Sequence, residues 1–149
     1  MHIRDVLEKE GRKVFLMESD KSLEDAINLM VAKETNGIII REGDHPVGIL
    51  TERDVLRNYI KHQRTPFSEI SLKAAMTNKV IVAKPDDDLA STISMMVKSD
   101  IRHLPVVMGG KLVAMLLICD LIEHQVGALT TELHYLEDYV ADLQEAGVD

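Results

Sequence analysis

One cysteine, Cys119, stands among 149 residues, which excludes an internal disulfide. With no CxxC partner and no neighbouring histidine it offers neither zinc nor redox chemistry, and it reads as a small half-buried hydrophobe. Tryptophan is absent and aromatics make up 3% of the chain, so platforms for stacking bases are few. Positive charge is short as well. Seventeen Lys and Arg face 25 Asp and Glu, a formal charge of −8 that repels phosphate backbones. Nucleic acid is not an expected partner. No apolar run approaches the roughly 20 residues that span a bilayer, and the N-terminal MHIRDVLEKEGRK is charged throughout. Neither a membrane helix nor a signal peptide is expected, and the chain is placed in the cytoplasm. GxxxxGK[ST], GxGxxG, GxSxG and HExxH are all missing, and the six histidines never reach metal spacing on one helix. The chain is not expected to be an enzyme. The acidic PDDD at 85–88 reads as a helix-start cap and solvated charge rather than a metal site.

What is present is a repeat. A step of 66 residues takes Asp54 to Asp120, Leu23 to Leu89, Ile27 to Ile93, Met30 to Met96, Val47 to Val113 and Leu56 to Ile122 without a gap. Nearer the N-terminus IRDVL (3–7) matches LKAAM (72–76) at a step of 69, leaving three extra residues in the EKEGRK loop of the first copy. Two units of about 60 residues that share a core are more secure than either alone.

Each copy reads strand, helix, strand, strand, helix. The first strands are VFLM (14–17) and VIVA (80–83). Helices follow with Leu23, Ala26, Ile27 and Met30, or Leu89, Ile93, Met96 and Val97, at three- and four-residue steps. Ser22 and Asp25 are spaced as a cap pair, and Pro85 with three aspartates precedes the second helix. Two strands joined by a tight turn come next: GIII, REGDH, PVGIL, then LPVV, MGGK, LVAMLLI. The closing helices carry Val55, Leu56, Tyr59 and Ile60, or Leu121, Ile122 and Val126. The strands lack clean alternation, so both sheet faces are expected to be covered. The expected fold is α/β (α+β): two small three-stranded sheets packed about a pseudo-twofold axis, plus a C-terminal helix. The boundaries are 1–60 for repeat one, 61–71 for a polar linker, 72–125 for repeat two and 126–149 for the amphipathic C-terminal helix.

GILTERD (48–54) and AMLLICD (114–120) mark the strand-to-helix junctions. Thr51 and Asp54 have capping-box spacing, yet Asp120 stands at the matching place behind Leu117, which has no side-chain acceptor. A first-turn carboxylate gains only about 0.3–1 kcal/mol from the helix dipole, so the retained aspartates suggest a second duty. With AAMT (74–77) and IRHLPVV (101–107), these motifs make residues 1–125 resemble a tandem pair of CBS domains, a Bateman module. Gly48-Ile-Leu-Thr51-Glu-Arg-Asp54 matches that family's G-h-x-[TS]-x-x-[DN] ribose-phosphate motif in full.

The resemblance implies a stand-alone regulatory module that binds an adenosine-containing ligand (AMP, ADP, ATP or S-adenosylmethionine) between the repeats, with no catalytic cofactor. Asp54 would grip the vicinal ribose hydroxyls, and Thr51 and the helix start would meet phosphate. Val80, Ile81 and Val82 would surround adenine. Arg102 would bring fixed positive charge and His103 would lie near the phosphates, with Leu104 and Pro105 as wall. A second, weaker site would use Asp120 with Val14, Phe15, Asn36, Gly37 and Ile38, since Ala114 and Leu117 replace the glycine and the hydroxyl residue. From Leu129 the tail runs through Leu133, Leu136, Val140 and Leu143 in steps of four and three, a coiled-coil seam. The resemblance also implies a homodimer, to which this helix is expected to contribute, acting on a regulated protein. The rival reading is a structural adaptor with vestigial pockets that recruits a partner through the tail.

Overall fold

The computed structural model describes residues 1–10 and 13–147. In chain order the elements are α1 (Ile3–Glu10), β1 (Leu16–Glu18), α2 (Leu23–Ala32), β2 (Gly37–Glu42), β3 (His45–Thr51), α3 (Glu52–Lys61), a 3₁₀ turn (Phe67–Glu69), α4 (Leu72–Ala75), α5 (Leu89–Lys98), β4 (His103–Met108), β5 (Lys111–Leu117) and α6 (Ile118–Glu145). The result is a mixed α/β fold with two small sheets and a long C-terminal helix. Two compact units divide it: Lys13–Val82, here the middle unit, and the remaining described residues, the outer unit.

The middle unit is a three-stranded sheet of order β1-β2-β3, with β1 parallel and β3 antiparallel to β2. Leu23, Ala26 and Met30 from α2 meet Ile38 and Ile40 from β2, Leu50 from β3, and Ile70, Leu72 and Ala75 in one buried cluster. Ile39 is buried as completely as its neighbours, which is why β2 shows no alternation. Ser22 starts α2 as read: its hydroxyl accepts from the Asp25 N–H and its own N–H donates to Asp25 Oδ2, both at 3.1 Å. The linker does more than tether, because Ile70 is buried and Phe67 packs on the cluster.

The outer unit holds the antiparallel hairpin β4-β5 with α1, α5 and α6. Its MGGK turn places Gly109 and Gly110 at φ 59° and 78°, a left-handed pair that glycine adopts without steric cost. Asp88 caps α5 by accepting from the Ser91 N–H at 2.8 Å, and Asp87 accepts from the Lys84 N–H at the same distance. The PDDD run is thus used in local capping.

The helices that open the two repeats change places. α1 packs on β5 and α6, and the Ile3 and Arg4 N–H groups donate to the Asp87 and Pro85 carbonyls at 2.9 and 3.0 Å. α4, which opens the second repeat, packs in the middle unit on α2, α3 and β3, with Leu23 N–H donating to Ile70 O and Leu72 N–H to Lys21 O. Each compact unit therefore takes its opening helix from the other copy.

Two expectations need correction. The second sheet has two strands, not three, because VIVA forms no strand: Ala83 alone bridges β4, through Ala83 N–H to Pro105 O at 2.9 Å and Val107 N–H to Ala83 O at 2.8 Å. One rung back, the parallel ladder needs a donor from residue 105, and proline has none. The first copy has Ile39 at that place, and its N–H donates to Phe15 O at 2.9 Å. Cys119 is the other correction. It is exposed, because the first turn of α6 buries Asp120 and Leu121 and turns residue 119 outward.

The closing helix of repeat two and the C-terminal helix are one continuous α6 with no break at 125/126; Glu8–Glu10, expected in a loop, end α1, while residues 11–12 and the predicted end at 148–149 lie outside the described residues. In α3 the apolar face is not a core face. Val55 packs inward, whereas Leu56, Tyr59 and Ile60 are exposed.

Candidate functional site

β3 feeds α3 at Thr51, which keeps extended backbone (φ −122°, ψ 170°) and so delivers Asp54 to the first helical turn. Asp54 is 4% exposed. Its Oδ2 accepts from the Thr51 N–H at 2.9 Å and from Thr51 Oγ1 at 3.4 Å. Its Oδ1 accepts from Thr77 Oγ1 at 2.7 Å and from Arg57 Nη1 at 3.5 Å. Two contacts are therefore short and two sit at the limit of a hydrogen bond.

The short contact to Thr77 depends on a close pairing with β3. Residues 76–77 run along the free edge of β3, where Thr77 forms an antiparallel bridge with Ile49: Ile49 N–H donates to Thr77 O and Thr77 N–H to Ile49 O, both at 2.9 Å. Gly48 permits this approach, since a Cβ there would lie 2.4 Å from Met76 Sδ and 2.9 Å from the Thr77 carbonyl oxygen. Asn58, buried one turn below Asp54, donates to the Asp54 carbonyl at 2.8 Å and to the Ala75 carbonyl at 3.1 Å, strapping the same segment to the helix. The glycine of the motif is thus explained by packing, and the aspartate by a carboxylate that gathers donors from three places in the chain.

Val80, Ile81 and Val82 share the middle unit with Thr51 and Asp54; the first two are half-buried and Val82 is exposed. Val14, Phe15, Asn36, Gly37 and Ile38 lie in that unit also. Gly37 pairs with Thr51, the Asn36 carbonyl accepts from the Glu52 N–H at 3.1 Å, and Ile38 is in the buried cluster. Arg102, His103, Leu104, Pro105 and Asp120 belong to the outer unit. There His103 pairs with Leu117, the Arg102 carbonyl accepts from the Ile118 N–H at 2.9 Å, and Asp120 Oδ2 accepts from the Leu117 N–H at 3.1 Å. His103, Leu104, Pro105 and Asp120 are buried and Arg102 is exposed. Within each unit the structure therefore brings residues of both expected sites to one strand-to-helix junction.

The two junctions differ in a way the paired motifs do not show. At the second, Leu117 has no hydroxyl, and the place of Thr77 falls at the 69-residue step on Glu8, inside α1. Ala114 stands where the first copy has Gly48, and the places of Met76 and Thr77 are taken by Leu7 and Glu8, which are helical rather than extended. Thr77, Asn58 and Arg57 are the residues missed as site members. Asn58 was within reach of reasoning, four residues beyond Asp54 on one helix face, but Thr77 lies 23 residues away and only the fold reveals the pairing.

A helix, a hairpin and a second helix that starts on a buried aspartate, twice over, define a tandem α/β repeat module. The CBS domain profile matches residues 3–61 and 68–127, and the chain belongs to the CBS domain family. Among curated relatives it is 31% identical over 87 residues to the uncharacterized protein MK0525 of Methanopyrus kandleri, covering 58% of this chain and 44% of that protein. The match thus spans less than half of that relative's length. A Burkholderia ambifaria protein with CBS domains superimposes with a TM-score of 0.78 at 28% identity, over 85% of this chain and 95% of that chain. The CBS domain pair of MJ0100, in complex with 5-methylthioadenosine and S-adenosyl-L-methionine, has a TM-score of 0.71 at 22% identity, over 86% and 97%; that likeness concerns the fold. Among the described residues no helix is long and apolar enough to cross a membrane.

Proposed function

We propose that this chain is a regulatory module, without catalysis of its own, that binds an adenosine-containing ligand (AMP, ADP, ATP or S-adenosylmethionine) and signals through the geometry of a homodimer or of a bound partner. The observation that carries the reading is the occupancy of the Asp54 carboxylate. Thr77 and the Thr51 N–H hold it firmly, while Thr51 Oγ1 and Arg57 Nη1 reach it only at 3.4 and 3.5 Å. A carboxylate has about four lone-pair sites, and a ribose diol presents two hydroxyls that can replace the two long contacts with short charge-assisted ones. The displaced Thr51 hydroxyl and Arg57 guanidinium then become donors for phosphate at the start of α3. Val80–Val82, free of any strand, supply apolar surface for a base. The fold neighbour that holds S-adenosylmethionine and methylthioadenosine supports the choice of ligand class. The junction at Asp120, lacking a hydroxyl at 117, is the weaker site.

Dimerisation draws support from large apolar side chains left uncovered at matching places in both units. Val31 and Val97, Leu56 and Ile122, and Ile60 and Val126 are related by the same 66-residue step and are 40–73% exposed. Repeated apolar exposure of this kind marks an interaction surface. The exposed single thiol is compatible with a reducing compartment such as the cytoplasm.

Thermal melts with AMP, ADP, ATP, S-adenosylmethionine and NAD test the reading. A ligand at 100 times its dissociation constant stabilises by about 2.7 kcal/mol, and Asp54→Asn, checked as folded by circular dichroism, should abolish the shift. Flat melts across the panel leave the adaptor reading. One observation favours that rival: the Asp120 carboxylate serves as a cap for the Leu117 N–H, a duty that needs no ligand.

A further inference from the structure

α3 ends at Lys61, whereas α6 continues through Glu145, so α6 beyond Val126 has no counterpart in the first repeat. Along it Val126, Leu129, Leu133, Leu136 and Val140 are each 50–55% exposed, and Leu143 continues the alternating steps of three and four. A 3.5-residue period is the seam of a coiled coil, narrower than the stripe a helix lays on a globular core. The a positions are Val126, Leu133 and Val140 and the d positions Leu129, Leu136 and Leu143, so two of the three a residues are β-branched and every d residue is leucine. That combination favours two strands, so the seam fits one further helix.

Charge decides which helix. Glu132 and Glu137 flank the seam at g and e positions, Glu123 precedes it by one turn at e, and no Lys or Arg follows Lys111 anywhere in the sequence. In a parallel pair of copies, Glu132 of one would face Glu137 of the other. In an antiparallel pair no flanking cation exists to meet any of the three. A second copy thus gains no flanking attraction, whereas a helix bearing Lys or Arg at its flanks gains it at each glutamate. We propose that residues 126–143 of α6 are a docking seam for one basic amphipathic helix of a partner protein. The residues offered above to a homodimer, Val31, Leu56, Ile60 and their repeat mates, are not residues of this seam, apart from Val126 at its first turn.

The test uses the full chain and two synthetic four-heptad peptides with Val at a and Leu at d, one with Lys and one with Glu at e and g. Fluorescence anisotropy should show the Lys peptide binding and the Glu peptide not, with binding weakened as salt is raised. The double variant Leu133→Asp with Leu136→Asp should lose about tenfold or more in affinity for the Lys peptide. Its own sedimentation and its nucleotide melts should stay unchanged, which separates this proposal from the ligand reading. Equal binding of both peptides, or no binding of the Lys peptide, overturns it. A change in the sedimentation of the double variant alone also overturns it, by showing a second copy on the seam.

Discussion

Thr77 Oγ1 donates to Asp54 Oδ1 at 2.7 Å across 23 residues of sequence. This bond joins the first residue after α4 and Met76 to the first turn of α3, and it satisfies a carboxylate that is almost wholly buried. Thr77→Val keeps the shape and removes the donor. It should destabilise the protein by about 1–3 kcal/mol, the cost of a buried polar group left short of a partner, while Thr77→Ser stays near wild type. Urea denaturation followed by circular dichroism measures both.

Gly48→Ala places a methyl against Met76 and the Thr77 carbonyl, which is backbone and cannot swing away. Overpacking of this kind costs about 1–3 kcal/mol. The converse change at the matching place, Ala114→Gly, should cost only about 0.5–1 kcal/mol through chain entropy. Equal losses at the two positions would contradict the account of why one junction carries glycine and the other alanine.

Pro105→Val restores an N–H one rung before Ala83. If the missing donor is what ends the ladder, the new amide at 105 should be protected in hydrogen exchange through a bond to the Ile81 carbonyl, as Ile39 is bonded to Phe15 O. A fast-exchanging amide at 105 would place the cause elsewhere.

Acid should loosen three helix starts together. Backbone N–H donors hold the carboxyls of Asp5 (from His2), Asp25 (from Ser22) and Asp88 (from Ser91) below their ordinary value of 3.8. A depressed folded pKa contributes stability that is complete above the unfolded value and is lost as pH falls through the folded one. Melting temperatures should therefore drop as pH is lowered below about 3.8. Asp88→Asn keeps a comparable cap at neutral pH and should flatten part of that acid dependence.

Much of the fold was legible because it is local. The 66-residue step, the Ser22 cap, the Gly109-Gly110 turn and the helix-strand-strand-helix run of each copy follow from short-range patterns, and the CBS resemblance named the family. What escaped reading is non-local. Pro105 was visible in the sequence, but its missing donor matters only beside a particular neighbour. Leu56, Tyr59 and Ile60 have the spacing of a helix face, and spacing does not say whether that face meets a core or remains open. The site was half legible: Thr51 and Asp54 were in the motif, whereas Thr77 and Asn58 matter through the docking of residues 75–77 beside β3 and α3, which no periodicity records.

The exchange of opening helices has a consequence for how such a chain can be cut or inherited. Severing it between Lys61 and Leu72 yields one piece carrying α1 with nothing of β5 and α6 to rest on, and another carrying α4 without α2, α3 and β3. Neither fragment holds all the parts of a finished unit. A cut that respects the finished units therefore falls after Val82 rather than at the repeat boundary, since Lys13–Val82 is one continuous stretch that already carries α4.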